Sequence, residues 1–326
     1  MKRAATTDGN SPVELPTPAG PPLSEAAPPR PPVRVVFTTF GDSRMSEAAG
    51  RIRRQAEEMR IYDEILVLNE KSLGPDFPAD LRERLTFGSR GFGYWCWKPY
   101  VVLSGLGRMR LGDILHYADM GCHLNPSGRP RFLEYLAMVS EHPSGLLVFG
   151  RNSPERQLAK GDLLDYFQAR GEVGIVDSAQ VRAGTMLIRR TPENIRLAQE
   201  WLGVFERDFS LADDTPSRSP NLPGFKGNKH DQSAFSILAK RRNALILPSG
   251  EVIPRGKTSR KRDWGAMAAY PVHFRRDHGL ERTMKAKAAR LVIRLLCASI
   301  PFRDRRRAVR NRLLNRWEGF GQPESP

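Results

Sequence analysis

The run Val33-Arg34-Val35-Val36-Phe37-Thr38-Thr39-Phe40, closed by Gly41-Asp42, constrains this chain more than any other feature. β-Branched and aromatic residues in sequence, stopped by a turn pair, predict a buried strand. The spacing behind it predicts a helix over 46–60, with Ser46 as N-cap, and then a second strand over Glu64-Ile65-Leu66-Val67-Leu68. Strand, helix and strand with short joints form a βαβ unit, which implies a parallel sheet and an α/β fold. The pattern continues. Asp113-Ile114-Leu115-His116-Tyr117-Ala118-Asp119 reads as a buried strand ending in a carboxylate, and Gly145-Leu146-Leu147-Val148-Phe149 as another. Gly184-Thr185-Met186-Leu187-Ile188-Arg189 reads as a strand leading into Thr191-Pro192-Glu193, where a capping hydroxyl, a proline and an acid open a helix. Ile195, Ala198, Trp201, Leu202, Phe205 and Phe209 fall on one face of that helix, which makes Trp201 a core residue. A helix over 232–241 and a strand over 244–247 complete the body. The Pro-, Ser- and Asn-rich stretch between Leu211 and Lys229 is a loop of a length usually kept for function or motion.

The two ends differ in kind from this body. Residues 1–32 are dense in Pro, Ala, Ser and Thr and offer little to bury, so a disordered leader is expected there. The body spans 33–275, and 276–326 forms a basic tail. From Glu281 to Glu318 the chain carries twelve Lys and Arg against three Asp and Glu, more than half of the formal charge of +16. Leu291, Val292, Leu295, Leu296, Ile300 and Phe302, then Val309, Leu313, Leu314 and Trp317, lie among these bases. An amphipathic helix lying in an anionic membrane surface has this composition, and so does a solvated helix packed on the body. No nucleic-acid motif accompanies the charge, so nucleic acid is not the expected partner. Cys96, Cys122 and Cys297 have neither disulfide nor zinc spacing, which points to the reducing cytoplasm. Met1-Lys2-Arg3 is followed by no apolar region, so a Sec-type signal is not expected, and no apolar run reaches the ~20 residues of a membrane span.

Three clusters carry candidate chemistry. In Arg90-Gly91-Phe92-Gly93-Tyr94-Trp95-Cys96-Trp97-Lys98-Pro99, two glycines permit close backbone approach while rings surround two cations. That mixture suits a nucleotide, with rings against base or sugar and cations against diphosphate, and it also suits a packed aromatic corner. Asp119, in Tyr117-Ala118-Asp119-Met120-Gly121-Cys122-His123, stands at a strand's carboxyl end, where open α/β sheets bind ligands. Asp231, in His230-Asp231-Gln232-Ser233, opens a helix after the long loop, as a functional acid or as an N-cap.

Taken in order, these segments, together with Ala183-Gly184-Thr185-Met186 and the opening Val36-Phe37-Thr38-Thr39-Phe40-Gly41-Asp42, resemble bacterial glycosyltransferases of cell-surface and capsular polysaccharide synthesis. The resemblance runs from about Val33 to Leu247 and is most specific at Trp-x-Trp-Lys-Pro and His-Asp-Gln. It implies a single GT-A (Rossmann-like) nucleotide-diphospho-sugar transferase domain that moves a sugar from a nucleotide-sugar donor to a polysaccharide or lipid-linked glycan. By position it places Thr38 and Thr39 near the nucleoside, and Arg90, Trp97 and Lys98 around the donor, with both cations facing its diphosphate. Gly184 leaves room for the donor sugar or the acceptor, and His230 and Asp231, the candidate catalytic pair, sit over the diphosphate or the transferring sugar, Asp231 as the second functional carboxylate.

Asp119 matches the first acid of Asp-x-Asp, which in such enzymes holds Mn or Mg between the phosphates. Here Gly121 replaces the second acid. Either His123, His230 or Asp231 completes the metal site, or Lys98 and Arg90 neutralise the diphosphate unaided. The basic tail implies residence on the inner face of the cytoplasmic membrane. Two other readings stay open at this point: a basic nucleic-acid-binding α/β protein, and a nucleotide-sugar-binding module without activity.

Overall fold

A computed structural model describes residues 33–254 and 263–277, and in the C-terminal segment 291–293, 295–300, 305–306, 309 and 313. The leader over 1–32 and most of the tail lie outside the described residues. The main sheet contains β1 (Val35–Phe40), β2 (Glu64–Leu68), β3 (Ile114–Ala118), β5 (Leu146–Pro154), β6 (Ala179–Val181), β7 (Thr185–Arg189) and β8 (Leu245–Leu247), while β4 (His123–Leu124) pairs separately with β9 (Val272–His273). The order is β2-β1-β3-β7-β5-β6, with β8 beside β5. The expected βαβ unit is present: β1 lies parallel to β2 and to β3. Beyond it the parallel expectation fails. β7 runs antiparallel between β3 and β5, and the sheet is mixed. Gly184 immediately precedes β7, on the same edge at which β3 ends, with Asp119 N–H donating to the Gly184 carbonyl at 2.8 Å. The reversal therefore brings a second chain segment to the carboxyl edge of the sheet.

Alternate strand residues fill two different cores, as the period of two requires. Val35, Phe37, Ile114, Ala118, Leu147 and Leu187 pack under the helices Ser46–Met59 and Arg129–Glu141. Val36, Phe40, Leu115, Tyr117, Met186 and Ile188 pack under Trp97–Gly107, Pro192–Arg207 and Asp231–Arg241. The result is a three-layer α/β/α sandwich. Thr191 caps the helix Pro192–Arg207 as the sequence predicts, accepting from Asn194 N–H at 3.2 Å, a contact worth about 1 kcal/mol. Ser46 is not a cap. A short 3-10 turn over Ser43–Met45 precedes the helix, and Asp42 caps that turn instead. The first-strand acid is thereby fixed beside the site.

The stretch from Leu211 to Lys229 is tied down rather than loose. The buried Lys160 ammonium donates to the carbonyls of Ser210, Asp213 and Thr215. Asp162 accepts from the backbone of Arg218 and Ser219 at 2.8 and 2.9 Å. Loop chemistry that looks irregular in sequence is here satisfied by the residues that open a neighbouring helix, Gly161–Tyr166.

One buried ion pair locks the helix Asp231–Arg241 onto the sheet. Glu155, 0% exposed, meets Lys240 at 2.9 Å and accepts from Gln180 at 2.8 Å and from Ser236. Removing one member of such a pair leaves an uncompensated buried charge. Glu155→Ala is expected to cost about 3–5 kcal/mol in chemical denaturation. Arg196→Ala, which breaks the exposed pair with Glu193, is expected to leave the denaturation midpoint essentially unchanged.

Candidate functional site

A cavity of about 600 Å³ opens where β1, β3 and β7 meet the start of the helix Asp231–Arg241. Its walls include Asp42, Trp95, Asp119, Gly184 and Asp231, so residues far apart in sequence converge on one edge of the sheet. That edge holds the carboxyl ends of β1 and β3, the place where open α/β sheets take ligands. The volume is that of a site for a molecule of nucleotide size.

One wall is an unusual backbone. Gly91, Phe92, Gly93, Tyr94 and Trp95 all have positive φ, between 51° and 85°, which makes Gly91–Tyr94 a left-handed turn. Each non-glycine residue in that region costs roughly 1–2 kcal/mol. Hydrogen bonds hold the turn: Tyr94 N–H donates to the Arg90 carbonyl at 2.7 Å, Gly93 N–H to Ser89 Oγ at 2.6 Å, and Trp97 Nε1–H to the Gly91 carbonyl at 3.2 Å. Its purpose is geometric. Trp95 lies against His230, with ring centres 5.7 Å apart, and Trp97 stacks on Phe40 at 4.2 Å.

The floor is a charge triad. Lys98 Nζ lies 3.0 Å from Asp119 Oδ1 and 2.8 Å from Asp231 Oδ2, and donates to the Ala183 carbonyl at 3.3 Å. Tyr117 O–H donates to Asp119 Oδ1 at 2.8 Å, and Trp201 Nε1–H to the Asp231 carbonyl at 3.0 Å. Burial works against the charge of Lys98, but the two carboxylates together overcome it and hold the ammonium above the ordinary lysine value. Burial likewise lifts Asp231 to about 6, despite the pull of Lys98. The Asp119 side chain is 36% exposed while those of Lys98 and Asp231 are 3% and 5% exposed. Asp119 is thus the acid presented to a ligand, and Asp231 the one kept in a dry environment.

A third group joins the loop to the turn. Asp214 receives Arg90 at 3.4 Å and Tyr94 O–H at 3.4 Å, and stands 3.9 Å from His230 Nε2. His230 Nδ1–H donates to the Ala212 carbonyl at 2.7 Å, and its backbone has a φ of 59°. Nothing in the local sequence marks Asp214, which sits in a polar loop. Its role depends on a loop position set by tertiary anchors, among them Lys160, Asp162 and Asn228. Arg44, Arg151, Arg182 and Arg276 also reach the cavity without having been singled out by sequence. An arginine beyond a buried strand is too common a pattern to signal.

No protein-family model matches the chain. No curated protein sequence is significantly similar to it. The solved structures it is similar to include a glycosyltransferase involved in glycosylating the major capsid of PBCV-1, at TM-score 0.41 and 6% identity over 74% of this chain and 93% of that one. Mouse xyloside xylosyltransferase 1 is similar at TM-score 0.41 and 10% identity over 74% and 97%. The galactosyltransferase LgtC, in complex with donor and acceptor sugar analogs, is similar at 0.34 and 12% over 67% and 74%. The functional reading of this chain rests on its own site.

The candidate residues separate on this geometry. Arg90, Trp97, Lys98, Asp119, Gly184, His230 and Asp231 all border the cavity. Thr38 and Thr39 do not. Both are fully buried in β1, and the residues that reach the cavity from this strand are Phe40, Gly41 and Asp42. Lys98 is turned from an expected diphosphate contact toward the two carboxylates. A Cβ on Gly184 would stand 3.0 Å from Asp119 Oδ2, so glycine keeps that carboxylate open.

A metal held by the protein does not fit this arrangement. The Lys98 ammonium fills the position between Asp119 and Asp231 that a divalent ion would need. His123 faces Asp277 and Gln55, at 3.1 and 3.2 Å, instead of Asp119. Among the described residues no group of three His, Cys, Asp or Glu is placed to hold a metal ion. Gly121 in place of the second acid is consistent with that geometry.

The triad gives a pH-dependent test. In Lys98→Met the two carboxylates face each other without a cation, and the pKa of Asp231 is expected to rise further. A carboxyl whose folded pKa lies above its unfolded value binds its proton more tightly when folded, so stability falls as pH rises. Thermal denaturation should show the variant about 3–5 kcal/mol less stable at pH 7 and much closer to wild type at pH 5.

Proposed function

We propose that this chain is a glycosyltransferase that takes a sugar from a nucleotide-sugar donor and transfers it to a hydroxyl of a cell-surface polysaccharide or lipid-linked glycan. The observation that carries the reading is the Asp119–Lys98–Asp231 triad on the floor of an arginine- and tryptophan-lined cavity of nucleotide-sugar size. Trp95 and Phe274 supply flat apolar walls for a sugar or base. Arginines at the rim match the oxyanions of a diphosphate. Asp119, half-buried and oriented by Tyr117 and Lys98, is placed to hold sugar hydroxyls.

In the transfer, the acceptor oxygen forms a bond to the anomeric carbon while the bond from that carbon to the phosphate oxygen breaks. The electron pair leaves with the nucleoside diphosphate, and the acceptor proton passes to a base. Asp231 fits that role. A carboxyl lifted to about 6 is still ionised near pH 7 and is a stronger proton acceptor than an exposed one. Its neighbour Lys98 stays charged throughout and keeps the accepted proton from being shared with Asp119.

The tail supports a location. Leu291, Val292, Leu295 and Leu296 are 53–65% exposed, while the neighbouring Ile293 and Cys297 are buried. Exposed leucines set among arginines match the headgroup region of an anionic membrane, here the inner face of a bacterial cytoplasmic membrane. No helix among the described residues is long and apolar enough to cross one.

Release of nucleoside diphosphate from a panel of nucleotide sugars tests the activity. One donor should be turned over, with a rate that rises tenfold per pH unit below about pH 6 and levels off above it. Asp231→Asn should lower that rate by about 10²–10⁴-fold with nucleotide affinity kept. A chain that binds no nucleoside diphosphate and turns over none of the panel is not a transferase. For the tail, the full chain should sediment with phosphatidylglycerol vesicles and not with phosphatidylcholine vesicles. Leu295→Asp with Leu296→Asp should abolish sedimentation, and retention on the vesicles would refute the membrane role.

A further inference from the structure

The cavity contains a second charged feature that the triad does not use. Arg151 lies within β5 just past its buried half, Arg182 follows β6, and Arg276 lies beyond β9, so three segments deliver three guanidinium groups to one cavity. β5 and β6 are neighbours, with Arg182 N–H donating to the Phe149 carbonyl at 2.8 Å. Arg182 is braced by the Gly150 carbonyl at 3.2 Å and Ser249 Oγ at 3.0 Å, and lies over the Phe274 ring at 5.5 Å. Among the described residues no carboxylate forms a salt bridge with Arg151 or Arg276, and the buried Nε of Arg151 has no hydrogen-bond partner. Glu155, the acid nearest in sequence to Arg151, is committed to Gln180, Ser236 and Lys240. Burial first, and then the proximity of Arg276, lower the pKa of Arg151 against the pull of Glu155.

Clustered cations that no salt bridge neutralises at Arg151 or Arg276 are a poor way to stabilise a fold and a direct way to bind an anion. Arginine presents a planar fork that matches phosphate oxygens two at a time. We propose that Arg151 and Arg276, with Arg182 beside them, form a metal-independent site for a phosphate group. Two sources share that chemistry: the diphosphate of the donor, and a phosphate carried by the acceptor. Either one rests on the transfer reading, whereas the anion site itself does not. The carboxylate triad and the arginine wall thereby divide the cavity into a region for hydroxyls and a region for phosphate.

Titration calorimetry of the full chain with inorganic pyrophosphate in EDTA tests the site. Wild type should bind, and Arg276→Gln should weaken binding at least tenfold. Arg276 is exposed, so this variant keeps the fold. Arg151→Gln with Arg276→Gln should weaken binding further without lowering the melting temperature, since it relieves repulsion. Equal affinity in wild type and variants, or binding that requires a divalent ion, would overturn the proposal. The same variants titrated with a nucleoside diphosphate and with a short-chain alkyl phosphate identify the source: the ligand whose affinity falls is the one these arginines hold. If both keep wild-type affinity, the site is wrong. Pyrophosphate binding through Arg151 and Arg276 in a chain that turns over no nucleotide sugar would sink the transfer reading and leave this site standing.

Discussion

A single ammonium, Lys98 Nζ, holds the site together. It stands 3.0 Å from a carboxylate at the end of β3 and 2.8 Å from one at the start of the helix Asp231–Arg241, and so joins two layers of the sandwich through one charge. Two carboxylates this close in a dry environment would otherwise push one another toward neutrality. Lys98 itself depends on the left-handed turn, because its helix begins at Trp97, immediately after that turn. Strain in the backbone, stacking of Trp97 on Phe40 and the pairing of charges are therefore one coupled arrangement.

Much of the body was legible in the sequence because its strands follow simple rules. β1 and β2, the strand ending at Asp119 and the Thr191-capped helix stand where hydrophobic runs and capping residues place them. The direction of β7 was not legible. Nothing in Gly184–Arg189 distinguishes an antiparallel strand from a parallel one, since both read as continuous apolar runs when buried on two faces. Nor did Ser46 reveal that Asp42 holds the cap, since a hydroxyl before a helix and an acid before a 3-10 turn look alike on paper.

The same contrast holds at the site. Asp119, Asp231, Lys98 and Arg90 were visible because acids at element ends and cations among rings are rare enough to notice. Thr38 and Thr39 lie short of the cavity: the strand pattern gives alternation but not where the chain leaves the sheet, which is one residue later. Asp214 and the arginines of the far wall were invisible. They reach the cavity through tertiary anchors, such as Lys160 on the carbonyls of the loop, which no local pattern encodes. Charge counting located the surplus in the tail and overlooked the cations that the fold gathers inside.

The left-handed turn also bears on how such a chain can change. A Cβ at position 91 would lie 2.3 Å from the Trp95 ring, and one at position 93 would lie 3.0 Å from the Arg84 carbonyl. Every codon step away from glycine adds that carbon, so drift has no gradual route through this segment. The turn also belongs to a core: Phe92 is buried in the cluster beneath Trp97–Gly107, and Trp95 packs against it. Loss of either glycine therefore ties recognition to folding: the change that strips a wall from the cavity also unseats Phe92 from the core behind it, so the lineage cannot trade one without the other.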